Sequence, residues 1–289
     1  MLWFILSLLT AISVSSQDAW TKKFFSHLTL YEMTAYPLIY SFFMFAAALP
    51  FVPVPQLDFT FFWTFLISIP LNGIAFFFHM NAIRISPLSL TIPYLAFTPA
   101  FMIVTGFIFL DELPNLFGIS GIMIICIGSY ILNIEPGKWS FLSPMKAVFK
   151  EKGSWMMLIA SFLYSFGAVI GKKAILHSSP LFFSMFFFAV FNLCLCLLLA
   201  AFRKIDLRTF RHDSLKGIIV GSFFFVHIVS HGFAISLTKA AYMISVKRLS
   251  VVFGVIYGRL LFKEANIAFR FSGALLMLVG TLFVTLQCL

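Results

Sequence analysis

Two adjacent cations, Lys247 and Arg248, stand about eight residues into an otherwise apolar run, 240–261. A charge at that depth in a membrane-length segment costs roughly 2.5–3.5 kcal/mol to insert and needs a reason. On a helix, Met243, Lys247, Ser250, Gly254 and Gly258 share one face. Small and polar residues in that pattern suit either the lining of a pore or a tight helix contact. Lys247, with Arg248 beside it, has the chemistry to receive a carboxylate or phosphate. The other reading is a structural pair neutralised by carbonyls or by Glu32 or Asp18.

A second set is polar without charge. Thr91, Tyr94, Thr98 and Thr105 fall on one face of the run 88–109, and Pro93 and Pro99 interrupt it. Proline in a membrane helix frees carbonyls for a ligand or permits a hinge, and also occurs at packed kinks. Tyr94 and Thr98 are the lining candidates here. Ser68, Asn72, Ala75 and His79 form another stripe, with Asn72 as a binding candidate, and His227 and His231 stand one turn apart. An i, i+4 histidine pair can hold zinc, but no third ligand lies close in sequence, so no metal is expected. His79 and His231 read as packing groups or as proton-responsive ones. Asp18 and Glu32 are the carboxylates placed to sit within the membrane and to serve in coupling or gating. Glu112 and Glu264 end their runs and read as caps. Gly167 and Gly171 suggest close helix contacts.

The elements that must hold these residues follow from composition. Of the 289 residues, 61% are hydrophobic and 10% charged, Phe alone supplies 40, and mean hydropathy is +1.03. A soluble domain carries about 25% charged residues, so a water-facing surface of ordinary make-up is excluded. The chain is expected to be an all-α polytopic membrane protein. Ten runs are long enough to cross a bilayer: 2–21, 31–50, 59–82, 88–109, 115–133, 154–174, 181–201, 215–236, 240–261 and 267–287. The formal charge of +10 lies in scattered loop residues rather than in a long basic stretch, which speaks for membrane lipid and against nucleic acid. Cys126, Cys194, Cys196 and Cys288 all lie in or beside apolar runs and suggest neither disulfides nor a metal site.

The runs repeat. A shift of 150 lays Ser15 on Ser165, Lys22-Lys23 on Lys172-Lys173 and His27 on His177. A shift of 152 then lays His79 on His231, Gly106 on Gly258, Glu112 on Glu264, Gly121 on Gly273 and Gly128 on Gly280. The domains are therefore a repeat over 1–135, a linker over 136–153 rich in Pro and Lys, and a repeat over 154–289. The first run resembles a signal peptide, but it lacks a basic start and has a twin at 154–174, so it is expected to stay as a span. Five runs per repeat is an odd number, so the second copy must enter the membrane from the opposite side, as in many secondary transporters. The odd-numbered loops hold 15 Lys or Arg against three in the even loops, which puts the odd loops in the cytoplasm and both termini outside.

The stretch from Ser86-Pro87-Leu88-Ser89 through Pro99, Leu110-Asp111-Glu112-Leu113 and Gly121 to Gly128 resembles the second part of an EamA-type repeat. Lys247-Arg248-Leu249-Ser250, Phe262-Lys263-Glu264 and Gly273 to Gly280 resemble it again. The family is the drug/metabolite transporter superfamily, and the likeness covers nearly the whole chain. It implies a ten-helix carrier with a central pocket, usually an exporter of amino acids, metabolites or drugs. Family members are drawn with both termini cytosolic, opposite to the loop charges. The reading reached is a secondary carrier in the cell (inner) membrane that exports small polar metabolites such as amino acids or related anions by alternating access. Lys247, Arg248, Tyr94, Thr98, Asn72 and Ser250 would meet the substrate. No cofactor is expected, and monomer and homodimer stay open. The rival classes are a non-transporting receptor or assembly subunit and an intramembrane enzyme, for which no HExxH, GxSxG or aspartate pair is present.

Overall fold

The computed structural model describes residues 1–132, 151–206, 208–264 and 267–286. Most of the expected linker, from 136 to 150, and Cys288 lie outside these residues. All regular structure among them is helical. Eight helices have the length and apolarity to cross a membrane: α1 (Leu2–Phe25), α2 (Leu30–Ala48), α3 (Phe59–Ile85), α4 (Leu88–Leu110), α6 (Lys152–Leu176), α7 (Pro180–Ala201), α8 (Ser214–Ser236) and α9 (Ala240–Phe262). Between and after them lie α5 (Leu116–Leu132) and α10 (Ile267–Leu286), whose apolar stretches are shorter.

Local chemistry sets the helix starts. Thr29 and Glu32 form a capping box on α2. The Asp58 carboxylate accepts from the Phe61 N–H at the start of α3 (2.9 Å), and Ser179 does the same for Phe182 on α7 (3.1 Å). Glu151 accepts from the N–H groups of Gly153 and Ser154 at the start of α6. Burial pushes the Glu151 carboxyl up, but hydrogen bonds from Ser154, Ser86 and these N–H groups outweigh it and hold it below the usual range.

The fourth helix of each half is broken, at the interruption expected from Pro93 and Pro99 in the first half and at a position the sequence does not mark in the second. In α4 a 3-10 stretch, Ile92–Phe97, separates Leu88–Thr91 from Thr98–Leu110. In α9, Ala240–Lys247 ends at Arg248 and Ser250–Phe262 starts anew. The breaks fall at repeat-related positions, with prolines in the first copy and none in the second. Both helices stop on a left-handed residue, Asp111 (φ 54°) and Lys263 (φ 54°). The next N–H, of Glu112 or Glu264, then returns to the carbonyl of Gly106 or Gly258 (both 3.1 Å).

Each of these glutamates then reaches across to the other half. Glu112 accepts from the Ala240 N–H at the start of α9 (2.8 Å). Glu264 accepts from the N–H groups of Leu88 and Ser89 at the start of α4 (3.1 and 3.2 Å) and from the Ser89 hydroxyl. Carboxylates on orphan N–H groups at helix starts are favourable twice over, by hydrogen bond and by dipole. The expected caps are caps, on the partner repeat's fourth helix.

Helix pairing follows the same exchange. The α1 helix packs on α8 as α6 packs on α3, and α2 on α7, α4 on α9 and α5 on α10. Swapping the halves maps this set onto itself, an approximate two-fold relation. At the α5–α10 crossing, Gly121 faces the Gly280 carbonyl and Gly128 the Gly273 carbonyl. A Cβ on Gly121, Gly128 or Gly280 would meet opposing backbone, so the two helices approach as glycine alone allows.

Two ends of the bundle are distinct. One gathers the starts of α3 and α9 with the ends of α4, α6 and α8. There Lys172 pairs with Glu112, its Nζ also donates to the Thr238 carbonyl (2.6 Å), and His177 pairs with Asp58 (2.6 Å). The other gathers the connections after α1, α3, α7 and α9 with the start of α6. There Lys22 donates to the Ser86 carbonyl, Ser86 to Glu151, Arg84 to the Leu28 carbonyl (3.1 Å), and Tyr36 and Tyr40 to the carbonyls of Thr209 and Phe210 (3.0 and 2.6 Å).

Candidate functional site

A cavity of about 120 Å³ lies between the halves, lined by residues of α1, α3, α4, α6, α7, α8 and α9. Its wall of phenyl rings comes from α3, α7 and α8. Phe183, Phe187 and Phe191 stack along α7 with centroids 4.9 and 5.8 Å apart, while Phe76 and Phe224 meet edge-on at 5.9 Å. Its polar wall is built at the break in α9. Because the helix stops at Lys247, both cations project into the space between the halves, and both line it.

Lys247 Nζ lies 3.1 Å from His227 Nε2 and 3.3 Å from His231 Nδ1. As an ammonium it donates to both imidazoles, which are then neutral. The proton of His227 sits on Nδ1 and points to Gln17 Oε1 (3.3 Å). An ammonium has three donors, so one stays available to a ligand. Arg248, buried at 4% exposure, donates through Nη2 to Thr98 Oγ1 (2.7 Å), and Thr98 also meets Ser161 (3.0 Å). The Arg248 Nε has no partner among the described residues. Among those residues no carboxylate lies within ion-pair reach of either cation. A buried cation without a counter-ion is costly, and an anion in the cavity would remove that cost.

Opposite stands a second polar cluster. His79 Nε2 contacts Asp18 Oδ2 at 3.0 Å, and its Nδ1 lies 3.4 Å from the Tyr164 hydroxyl. Asp18 is 2% exposed, and its Oδ1 has no partner among the described residues. The lining reaches Lys172, Ser184 and Gly232 towards the first end of the bundle, but none of Lys22, Ser86 and Glu264 at the second.

A model of the EamA-like transporter family matches residues 1–134 and again 151–286. The chain belongs to the EamA-like transporter family. It is thereby a multi-pass membrane protein of the drug/metabolite transporter superfamily, with two EamA repeats. One solved crystal structure covers 96% of this chain with 96% of its own at a TM-score of 0.64 and 13% identity, a likeness of fold alone. No match is found among curated proteins.

Within this EamA fold the expected site residues divide. Lys247, Arg248, Asn72, His79 and His231 line one cavity. Asp18 stands directly behind His79, and Thr98 behind Arg248. Three others are elsewhere. Tyr94 is buried beside Phe97 in the 3-10 stretch. Ser250 starts the second segment of α9, buried at 2% exposure, and Gly254 and Gly258 on the same segment pack against Ile92 and against Glu264 and Ser89. The small-residue face is thus a helix contact, separated from Lys247 by the break. Glu32 lies in the first turn of α2, its carboxylate on the Thr29 N–H and hydroxyl (3.1 and 2.8 Å), away from the cavity lining. Gly167 and Gly171 both line the cavity. Gly167 also makes the expected close contact, with Asn72 Oδ1 of α3 2.8 Å from where its Cβ would stand, whereas a Cβ on Gly171 would meet only the Phe183 ring, at 3.7 Å.

Gln17, Tyr164, Lys172, His227 and the phenyl wall were not singled out as site residues. The twin spacing of Lys22 and Lys172 was a signal for Lys172. The four-residue spacing of Phe183, Phe187 and Phe191 was none, in a chain where any helix face carries Phe.

Proposed function

We propose that this EamA-family protein is a secondary active carrier of small organic anions, carboxylate-bearing metabolites such as amino acids and their relatives, and that it exports them. The observation that carries this reading is Lys247, whose Nζ lies within hydrogen-bond distance of two imidazoles, with Arg248 beside it and no carboxylate in ion-pair reach among the described residues, facing a cavity. An anionic group would accept from both cations, while the apolar body of the substrate packs on Phe183, Phe187 and Phe224. The broken α4 and α9 fit the discontinuous helices that build midplane sites in carriers.

Transport works by alternating access of two five-helix halves of inverted topology. The two-fold pairing and the crossed caps of Glu112 and Glu264 support two equivalent closures, one at each end. The cavity leans towards the end held by Lys172 and Glu112, and the loop charges put that end outside the cytoplasm. A reporter fused to the chain end and active only in the cytoplasm should therefore stay silent; activity would reverse the orientation.

Counterflow tests the carrier itself. Proteoliposomes loaded with an unlabelled carboxylate metabolite should accumulate the labelled one faster than empty ones. A receptor or assembly subunit would show no acceleration with any of a panel of amino acids and aryl carboxylates.

A further inference from the structure

The two histidines at repeat-related positions face the same cavity with opposite partners. His231 accepts from the Lys247 ammonium, so a proton added there would meet a cation. His79 is backed by Asp18 (3.0 Å) and turns its other nitrogen to Tyr164. With His79 neutral, its Nε2–H donates to Asp18 and its Nδ1 accepts from the Tyr164 hydroxyl. A proton taken onto Nδ1 makes the pair an imidazolium–carboxylate, and Tyr164 turns to accept. No heavy atom need move.

We infer that the His79–Asp18 pair couples protons to transport, taking up one proton for each anion bound at Lys247. The inference rests on the carrier reading above. Imidazole is the side chain whose charge changes between pH 5 and 8. Protonation of His79 raises the charge of the cavity by one, so it strengthens anion binding, and by linkage the bound anion strengthens proton binding equally. One proton and one monoanion then travel together without net charge, and export down the substrate's own gradient removes an acid equivalent. The proton forms an N–H bond at Nδ1 on loading and leaves to water on release.

Four other elements bring titratable or charged groups towards Asp18. From α8 come His227 and His231, both facing Lys247; from α9, Lys247 and Arg248; from α3, His79; and from α6, Tyr164, with Lys172 held by Glu112. Tyr36 and Tyr40 of α2 turn to loop carbonyls, and Lys22 on α1 itself turns to Ser86. His79 is therefore the titratable side chain in contact with Asp18.

The test is calorimetric titration of the purified full chain with benzoate, which is already ionised, in two buffers of different ionisation enthalpy near pH 7.5. Near one proton should be taken up per benzoate, and the Kd should rise with pH by up to tenfold per unit. H79Q and D18N should lose the uptake. Benzoate binding without proton uptake overturns the coupling and leaves the carrier reading standing. Uptake that survives H79Q and disappears in H231Q places the proton at the wrong histidine and also overturns it. No binding of benzoate, phenylphosphonate or benzenesulfonate overturns both. Should neither variant fold, absence of proton uptake in the natural chain still overturns the coupling.

Discussion

The two halves build the same scaffold and different chemistry. Glu112 and Glu264, Asp111 and Lys263, and the glycines of α5 and α10 occur in matched pairs and do matched work. At the cavity the matching stops. Lys247 and Arg248 stand where the first half has Leu95 and Ala96, and Asp18 stands where the second half has Ala168. One half brings a carboxylate behind its histidine, the other an ammonium. Duplication supplies the matched scaffold; on the proposed function, a site with a sign requires that the copies diverge where they line the cavity.

Breaking the cation side should have the largest effect. Lys247→Ala removes the donor proposed for the anion, and losing one partner of a buried ion pair with the substrate costs about 2–5 kcal/mol. Counterflow should fall on the order of 100-fold while the protein still accumulates in the membrane. A variant that inserts and transports normally moves the site away from α9. One that fails to accumulate makes the pair structural.

The matched caps differ in one respect, which sets the next effect. Glu112 holds the Lys172 ammonium as well as the start of α9, whereas Glu264 holds only N–H and hydroxyl groups of α4 and Lys22 goes to a carbonyl. Glu112→Gln leaves Lys172 buried without its counter-ion and should cost about 3 kcal/mol. Glu264→Gln should cost about 1 kcal/mol. Thermal denaturation in detergent ranks them; equal losses would show that the Lys172 pair adds nothing to the cap.

Glycines distinguish scaffold from cavity more finely. A methyl group on Gly121 meets the Gly280 carbonyl at 2.8 Å, but one on Gly171 meets only the Phe183 ring at 3.7 Å. Gly121→Ala should cost about 1–3 kcal/mol through forced separation of α5 and α10. Gly171→Ala should melt as the natural chain does and change only which ligands fit. Melting curves and ligand-induced shifts for the two variants check both statements.

What was legible in the sequence was what duplication had written twice. The glutamates and glycines of the scaffold stood out because polar and small residues recur at fixed offsets in an apolar chain. The single-copy chemistry was legible only as cost: Lys247, Arg248 and Asp18 are expensive in a membrane. Their partners were not legible. Asp18 and His79 are brought together by α1 lying near α3, and Lys247 and His227 by the packing of α8 on α9, contacts that periodicity does not encode. The break at Arg248 had no proline or glycine to announce it, so Ser250 was placed on the same face as Lys247. Its counterpart in α4 carried Pro93 and Pro99 and was readable as an interruption.

The smallest effect is expected at the rim, where Asp58 and His177 meet in water. His177 and Asp58 are both well exposed, and a pair of this kind adds little. The Asp58 carboxyl is held below its ordinary value of 3.8, first by the Phe61 N–H; desolvation opposes this, and the hydrogen bond and charge of His177 add to the lowering. A depressed carboxyl stabilises the folded chain above its unfolded value and loses that contribution as pH falls through the folded one. Asp58→Asn keeps an N-cap for α3 and removes only the charge. Its melting temperature should fall slightly at neutral pH, and the gap should close as the medium is acidified below the ordinary carboxylate range. Asp58→Ala, which also removes the cap, should show a larger gap that acid narrows without closing. If the Asn variant melts as far below the natural chain as the Ala variant, the charge rather than the cap fixes the start of α3, and the rim of the cavity depends on His177 more than its exposure suggests.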